Sequence, residues 1–314
     1  MTTFLVTGGA GFIGSHLCDR LLAQGARVIA IDDLSTGRIA NLAEARGYGG
    51  AFTFYNLGLA SERLPALFDR HRPEVVMHLA AQSGVRPSLA DPIGDAQTNV
   101  LGTLALLEQC VRVGVRKVVY AASGVTLYGE VKRPPAPERL LAQSQPLSPY
   151  GISKKVVLDY LEYYERFRGL DWIGLALANV YGPRQDPAGE AGAVAIFAAQ
   201  LLAGEVPMIF GDGNQTRDYV FVADVVHAFA LAAERGHGKV VNIGTGIETP
   251  VAALYRMLAG LLGSAVEPAR GPLPPGDLRR SALDPRLAAE VLAWRPWTHL
   301  EDGLAETVAY LRGV

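Results

Sequence analysis

The stretch TGGAGFIGSH, residues 7–16, sets Gly8, Gly11 and Gly14 three residues apart, directly after the apolar run FLV and directly before a helical pattern carrying Ile13, Leu17 and Leu21. Strand, tight turn and helix are the context in which such glycines cradle a dinucleotide. Gly8 and Gly11 let the backbone bend and approach a pyrophosphate, and Gly14 lets the helix settle on the strand. The first amides of that helix have no intrahelical partner and are turned toward an anion. A second strand, RVIAID (27–32), ends in Asp32. A carboxylate about 20 residues after the turn hydrogen-bonds the hydroxyls of an adenosine ribose and repels a 2′-phosphate, which favours NAD over NADP.

Working outward, short β-branched runs alternate with longer helical patterns through the first 180 residues. The candidate strands are FLVTG (4–8), RVIAID (27–32), FTFYN (52–56), EVVMHLA (74–80), KVVYAAS (117–123) and WIGLALA (172–178). Strands alternating with helices imply βαβ units, hence an α/β Rossmann-like fold with a doubly wound parallel sheet. The unbroken apolar character of VVMHLA and KVVYAA suits strands buried on both faces. Beyond residue 180, Gly and Pro gather in YGPRQDPAGEAG and ARGPLPPGD. The expected division is a dinucleotide-binding domain at 1–179 and a smaller lobe at 180–314, with parts of 217–246 packing back on the first.

At 314 residues and 49% hydrophobic, the chain can bury a large core. A formal charge of −2 gives no electrostatic case for nucleic acid or an anionic membrane. No apolar run reaches the roughly 20 residues of a membrane helix. The start, MTTFLVTGG, lacks a positive n-region, which argues against a signal peptide. Cys18 and Cys110 fall within apolar helical patterns, as reduced, buried thiols do. No metal-ligand spacing competes with that reading. A soluble, cytoplasmic protein is expected.

LSPYGISKK opens a long helical segment to about Phe167, with Ser148 as N-cap and Pro149 at the first helical position. Tyr150 and Lys154 are then i and i+4, on one face. A free phenol titrates near 10, and a neighbouring ammonium is expected to bring it toward use as a base. The strand KVVYAAS ends at Ser123, which offers a hydroxyl.

With these residues, TGGAGFIGSH, HLAAQSGVRPSLADP (78–92), NVLGT (99–103), SPYGISKK, NVYGPRQDP (179–187) and RDYVFVADVV (217–226) resemble the extended short-chain dehydrogenase/reductases, specifically the nucleotide-sugar epimerases. The resemblance covers nearly the whole chain. It implies a catalytic hydroxyl–Tyr–Lys triad, a tightly held NAD, a UDP-sugar between the lobes and a homodimer. The catalytic set would be Ser123, Tyr150 and Lys154, with Thr126 or no hydroxyl at all as alternatives to Ser123. Contacts to NAD are implied for Gly8, Gly11, Phe12, Ile13, Gly14, Asp32, Asn56, Leu57, Leu79, Ala80, Ala81, Gln82, Asn99, Tyr150 and Lys154. Substrate contacts are implied for Ser123, Tyr150, Asn179, Ala195, Ile196, Phe197, Phe210, Arg217, Asp277 and Ser281. Helices 92–113 and 148–168, carrying Leu104, Leu107, Val111, Val156, Val157 and Leu161, either form the dimer interface or cover the sheet.

The chain departs from the family pattern at several places. Ala176-Leu177-Ala178 precedes Asn179 where a tyrosine is usual; Pro274 stands for a phosphate-binding arginine, with Arg270, Arg279 and Arg280 nearby; Asn56 stands for an aspartate. Ser281 replaces the tyrosine that closes the hexose pocket, so a 2-acetamido sugar is expected to fit. The implied activity is C4 epimerisation of a UDP-hexose. Alternatives are a UDP-glucuronate 4-epimerase or decarboxylase, a nucleotide-sugar dehydratase, or a non-catalytic NAD-binding regulator; the dehydratase needs carboxylates where Gly124 and Val125 stand.

Overall fold

Strands that are apolar on both sides must be covered on both sides, and their order follows from how the covering helices cross over. In the computed structural model, which describes residues 1–188, 192–273 and 278–313, one sheet is built from β1 (Thr3–Thr7), β2 (Arg27–Asp32), β3 (Phe52–Asn56), β4 (Val75–His78), β5 (Lys117–Ser123), β6 (Asp171–Leu177) and a closing strand, Lys239–Ile243. Their order is β3-β2-β1-β4-β5-β6 followed by the closing strand, and every pairing is parallel. This is the expected doubly wound α/β fold. The order reverses between β1 and β4, where such sheets open a crevice at their carboxyl ends.

Helix Phe12–Ala23 packs beside helix Val222–Ala232, and helix Gly102–Val113 packs between Leu64–His71 and Pro149–Arg168. Residues such as Leu5, Val6, Val28, Val76, Val118 and Leu175 are fully enclosed between these layers. The helical segments 92–113 and 149–168 cover the sheet with Leu107, Val157 and Leu161, while Leu104, Val111 and Val156 are half-buried. What these segments expose is a different apolar set: Ile93, Leu101, Ile152, Tyr160, Tyr163 and Phe167.

Beyond residue 178 the chain builds small two-stranded pieces. Asn179–Tyr181 pairs with Tyr219–Phe221, Met208–Phe210 with Ala269–Gly271, and Thr216–Arg217 with Thr249–Pro250. Asp218 knots them to the sheet. Its carboxylate, 1% exposed, accepts from Thr245 N and Oγ1, Gly246 N and Leu283 N at 2.6–3.1 Å. The chain on both sides of residue 180 therefore shares one sheet, since Lys239–Ile243 pairs along β6.

Candidate active site

The glycine turn sits at the switch point and is shaped by contact. Gly8 has φ +67, and a Cβ there would lie 2.9 Å from Ala80 N; a Cβ on Gly14 would lie 2.0 Å from Gly8 O. Helix Phe12–Ala23 follows with Gly11 as its N-cap and no capping side chain, so the end carrying Phe12 and Ile13 keeps its dipole and amides for an anion. Asp32, at the end of β2, accepts Ala10 N at 3.0 Å and Leu34 N at 2.8 Å, which leaves carboxylate lone pairs for further donors. Burial raises its pKa against those hydrogen bonds. Asn56 ends β3 beside it in register with Asp32, and Leu57 N donates to Asp32 O at 2.9 Å.

The opposite lip is the loop after β4. Thr7 Oγ1 accepts Leu79 N at 3.2 Å and Ala80 N at 3.0 Å and meets His78 Nδ1 at 2.8 Å. His78 Nε2 meets Thr103 Oγ1 at 2.9 Å, and Thr103 donates its own proton to Asn99 O. The network thus assigns the proton to Nε2 and leaves Nδ1 as acceptor for the Thr7 hydroxyl. Burial and the charge of Lys154 push His78 down to about 3, so the ring is neutral. Asn99, inside a π-helical turn over Gln97–Leu101, clamps the loop: its Oδ1 accepts Gln82 N at 2.8 Å, and its Nδ2 donates to Gln82 O and to Asp95 Oδ1. Its amide is therefore engaged within the chain, and its route to a cofactor runs through the loop Leu79–Gln82. The Gln82 side-chain oxygen is buried with no partner among the described residues.

Between these lips come the three residues of the implied triad. Helix Pro149–Arg168 starts where expected, Ser148 accepting Gly151 N at 3.2 Å. A Cβ on Gly151 would lie 2.8 Å from Thr126 O, so this glycine lets the helix press on the turn after β5. That approach brings Tyr150 close to Ser123, whose hydroxyl favours the ionised phenol. Thr126 points elsewhere, its Oγ1 donating to Ser123 O at 3.4 Å. Lys154 is 3% exposed; its Nζ donates to Ala121 O at 2.9 Å and lies 4.8 Å from the Tyr120 ring centroid and 5.7 Å from that of Tyr150.

The expected lowering of the phenol is not what the chain by itself gives. Burial pushes Tyr150 up to about 12, the charge of Asp95 adds to the rise, and the Ser123 hydrogen bond opposes it. Burial also brings Lys154 down to about 8, with Asp95 opposing. Dehydration of both groups outweighs the benefit of placing them one turn apart.

Across the cleft, Asn179 N donates to Asp218 O at 2.9 Å, while its side-chain Oδ1 is buried with no partner among the described residues. Arg217 Nη1 donates to Thr216 O and Leu278 O, both at 2.8 Å. The strip at Ala195, Ile196 and Phe197 lies in helix Ala193–Leu202, with Ala195 and Phe197 turned into the core and Ile196 half-buried. Its backbone and Ile196 are what it can offer a ligand. Phe210 is 38% exposed. Ser281 is buried, and it lines a small recess with Leu283 and with Gly124, Val125 and Tyr128 of the short helix that follows Ser123. Arg280 is taken up by Glu248. Asp277 and Pro274 lie outside the described residues.

Reasoning from the sequence missed Asp95, Ser153 and the Thr7–His78–Thr103 chain. Their partners stand 58 and 71 residues away. The local signal that could have found Asp95 is its i, i+4 spacing to Asn99 in DPIGDAQTNV.

The comparisons with known proteins agree with this fold. The family model described as "NAD dependent epimerase/dehydratase family" matches residues 4–244. The chain is 48% identical over 309 residues to a UDP-glucose 4-epimerase of Mycolicibacterium smegmatis, covering 98% of each chain. The crystal structure of UDP-glucose 4-epimerase from Thermotoga maritima, with UDP-glucose, superposes with a TM-score of 0.95 at 47% identity, covering 99% of each chain. The Thermus thermophilus UDP-glucose 4-epimerase in complex with NAD superposes with a TM-score of 0.92 at 40% identity, covering 100% of each. A parallel sheet with its switch point behind the glycine turn and this likeness along the full length lead to one conclusion: the chain belongs to the NAD-dependent epimerase/dehydratase family.

Proposed function

We propose that the chain is an isomerase that inverts C4 of a UDP-hexose, UDP-glucose and UDP-galactose first, using bound NAD. The observation that carries this is the meeting of Ser123, Tyr150 and Lys154 at the carboxyl end of β5, across the switch point from the glycine turn. The residues fit the cofactor. Gly8 and Gly14 leave no room for a Cβ, the helix behind the turn is uncapped, and Asp32 is held at the end of β2. Lys154 and the loop Leu79–Gln82 would hold the nicotinamide half, and Asp32 with Asn56 and Leu57 the adenosine half. When bound, NAD supplies a reversible hydride sink and the positive charge of its oxidised ring beside the phenol.

The protein's own work is proton handling and grip. Tyr150, as phenolate, takes the proton of the sugar 4-hydroxyl, and Ser123 hydrogen-bonds the same oxygen, so a 4-keto sugar is held between them. The sugar then offers its other face, and Tyr150 returns the proton. Asn179 and Arg217 grip the diphosphate through charge-assisted hydrogen bonds, and Phe210 packs near the uridine. Firm binding of the nucleotide lets the hexose turn without escaping. Ser281, small where the family pattern has a tyrosine closing the hexose pocket, extends the range to UDP-GlcNAc.

We read the protein as a homodimer joined through the exposed stripe of Ile93, Leu101, Ile152, Tyr160, Tyr163 and Phe167; a monomer in sedimentation equilibrium would remove that. The cytoplasmic placement rests on the two buried thiols, Cys18 and Cys110.

The test is to incubate purified protein with UDP-galactose, UDP-GlcNAc and UDP-glucuronate and follow each by NMR. Inverted C4 without net NADH is expected. A 4-keto-6-deoxy product or a released carboxyl group would move the chain to a dehydratase or a decarboxylase.

A further inference from the structure

Asp95 lies in the short helix Pro92–Ala96 and is 1% exposed. Its Oδ2 accepts the hydroxyl of Ser153 at 2.5 Å, and its Oδ1 accepts Asn99 Nδ2 at 2.9 Å. Ser153 is buried and adjoins Lys154 on the helix that also carries Tyr150; Asn99 brackets the backbone of Gln82. One carboxylate therefore ties the catalytic helix to the lip of the cofactor cleft. We propose that Asp95 is a positioning residue: through Ser153 and Asn99 it holds the two walls of the site in register, and it is the counter-charge of the Lys154 ammonium. This rests on the reading of Tyr150 and Lys154 given above.

The surroundings of Lys154 support the assignment. From its own helix it meets Tyr150, from β5 the ring of Tyr120, from β4 the neutral His78, and from Pro92–Ala96 the charge of Asp95. Only Asp95 among these described groups is a carboxylate, and it opposes the effect of burial on Lys154. A buried ammonium without one is strongly disfavoured. Asp95 also adds to the rise of the Tyr120 phenol, whose hydroxyl has no partner among the described residues. A phenol base beside an ammonium fails when the ammonium loses its proton. Asp95 keeps that proton on, so it extends activity toward alkaline pH.

The experiment is the pH profile of kcat/KM for the holoenzyme, with bound NAD per chain measured alongside. Asp95→Asn keeps the shape and removes the charge; its basic limb is expected to move down by about one pH unit. Ser153→Ala removes one anchor and leaves the charge; its limb is expected to move the same way by less. An equal loss of rate at every pH, with the limb unmoved in both variants, overturns the proposal. Should Asp95→Asn fail to fold, Ser153→Ala decides alone. If Tyr150→Phe instead keeps full activity, the reading of the site itself is wrong, and that outcome is distinct from an unmoved limb.

Discussion

At the glycine turn, chain meets chain so closely that a methyl on Gly14 would sit 2.0 Å from Gly8 O. Across the cleft, Phe210 leaves 38% of its surface exposed and Asn179 keeps a buried amide oxygen unpartnered among the described residues. In the proposed reading the first side would recognise by shape, with backbone atoms that move only if the fold moves. The second would recognise with side chains on short strands, pinned from behind by Asp218. This division suits an enzyme that keeps one ligand through many turnovers and exchanges the other at each.

That contrast can be broken at its centre first. Tyr150→Phe removes the proposed proton acceptor and is expected to lower kcat/KM by about 10²–10⁴-fold, with bound NAD unchanged. A loss confined to NAD content would mean the phenol belongs to the cofactor side. Gly14→Ala attacks the shape-based side. Overpacking against Gly8 O should cost about 3 kcal/mol, read as a fall in Tm of about 6 °C or more together with lost NAD; a variant with normal Tm and NAD content would show that the turn yields. Arg217→Lys attacks the other side, keeping the charge and losing the planar fork. KM for the UDP-sugar should rise about tenfold while bound NAD and Tm hold. The smallest effect is expected at Ser281→Tyr, about 1 kcal/mol against UDP-GlcNAc alone; equal loss on both sugars would remove Ser281 from the hexose pocket.

Much of this was legible in the chain. The strands 27–32, 52–56 and 117–123 match the sequence expectation residue for residue, because their apolar runs end where polar residues begin. The run 74–80 shortens to Val75–His78 because Leu79 and Ala80 turn their amides to Thr7 Oγ1. A side-chain acceptor on another strand leaves no trace in local hydropathy. Gly8, Gly14, Asp32 and the Tyr150–Lys154 pair were visible because their chemistry is local to a turn or a helical face. Asp95, His78 and Asp218 were not, since each is defined by partners distant in sequence. The direction of the Tyr150 shift was also misjudged, for the benefit of a nearby ammonium can be read from spacing whereas the depth of burial cannot.

The closing strand Lys239–Ile243 has a consequence for how the protein comes into being. Until it has left the ribosome, β6 has nothing along its outer side, and that side belongs to the apolar run Trp172–Leu177. A fragment ended at residue 179 would carry the same open border permanently, a template for pairing with other chains. The dinucleotide half should therefore resist being cut out as a free-standing piece, and the outer side of Trp172–Leu177 is covered in the nascent enzyme only after some 60 further residues have been made, by the arithmetic of 179 to 243.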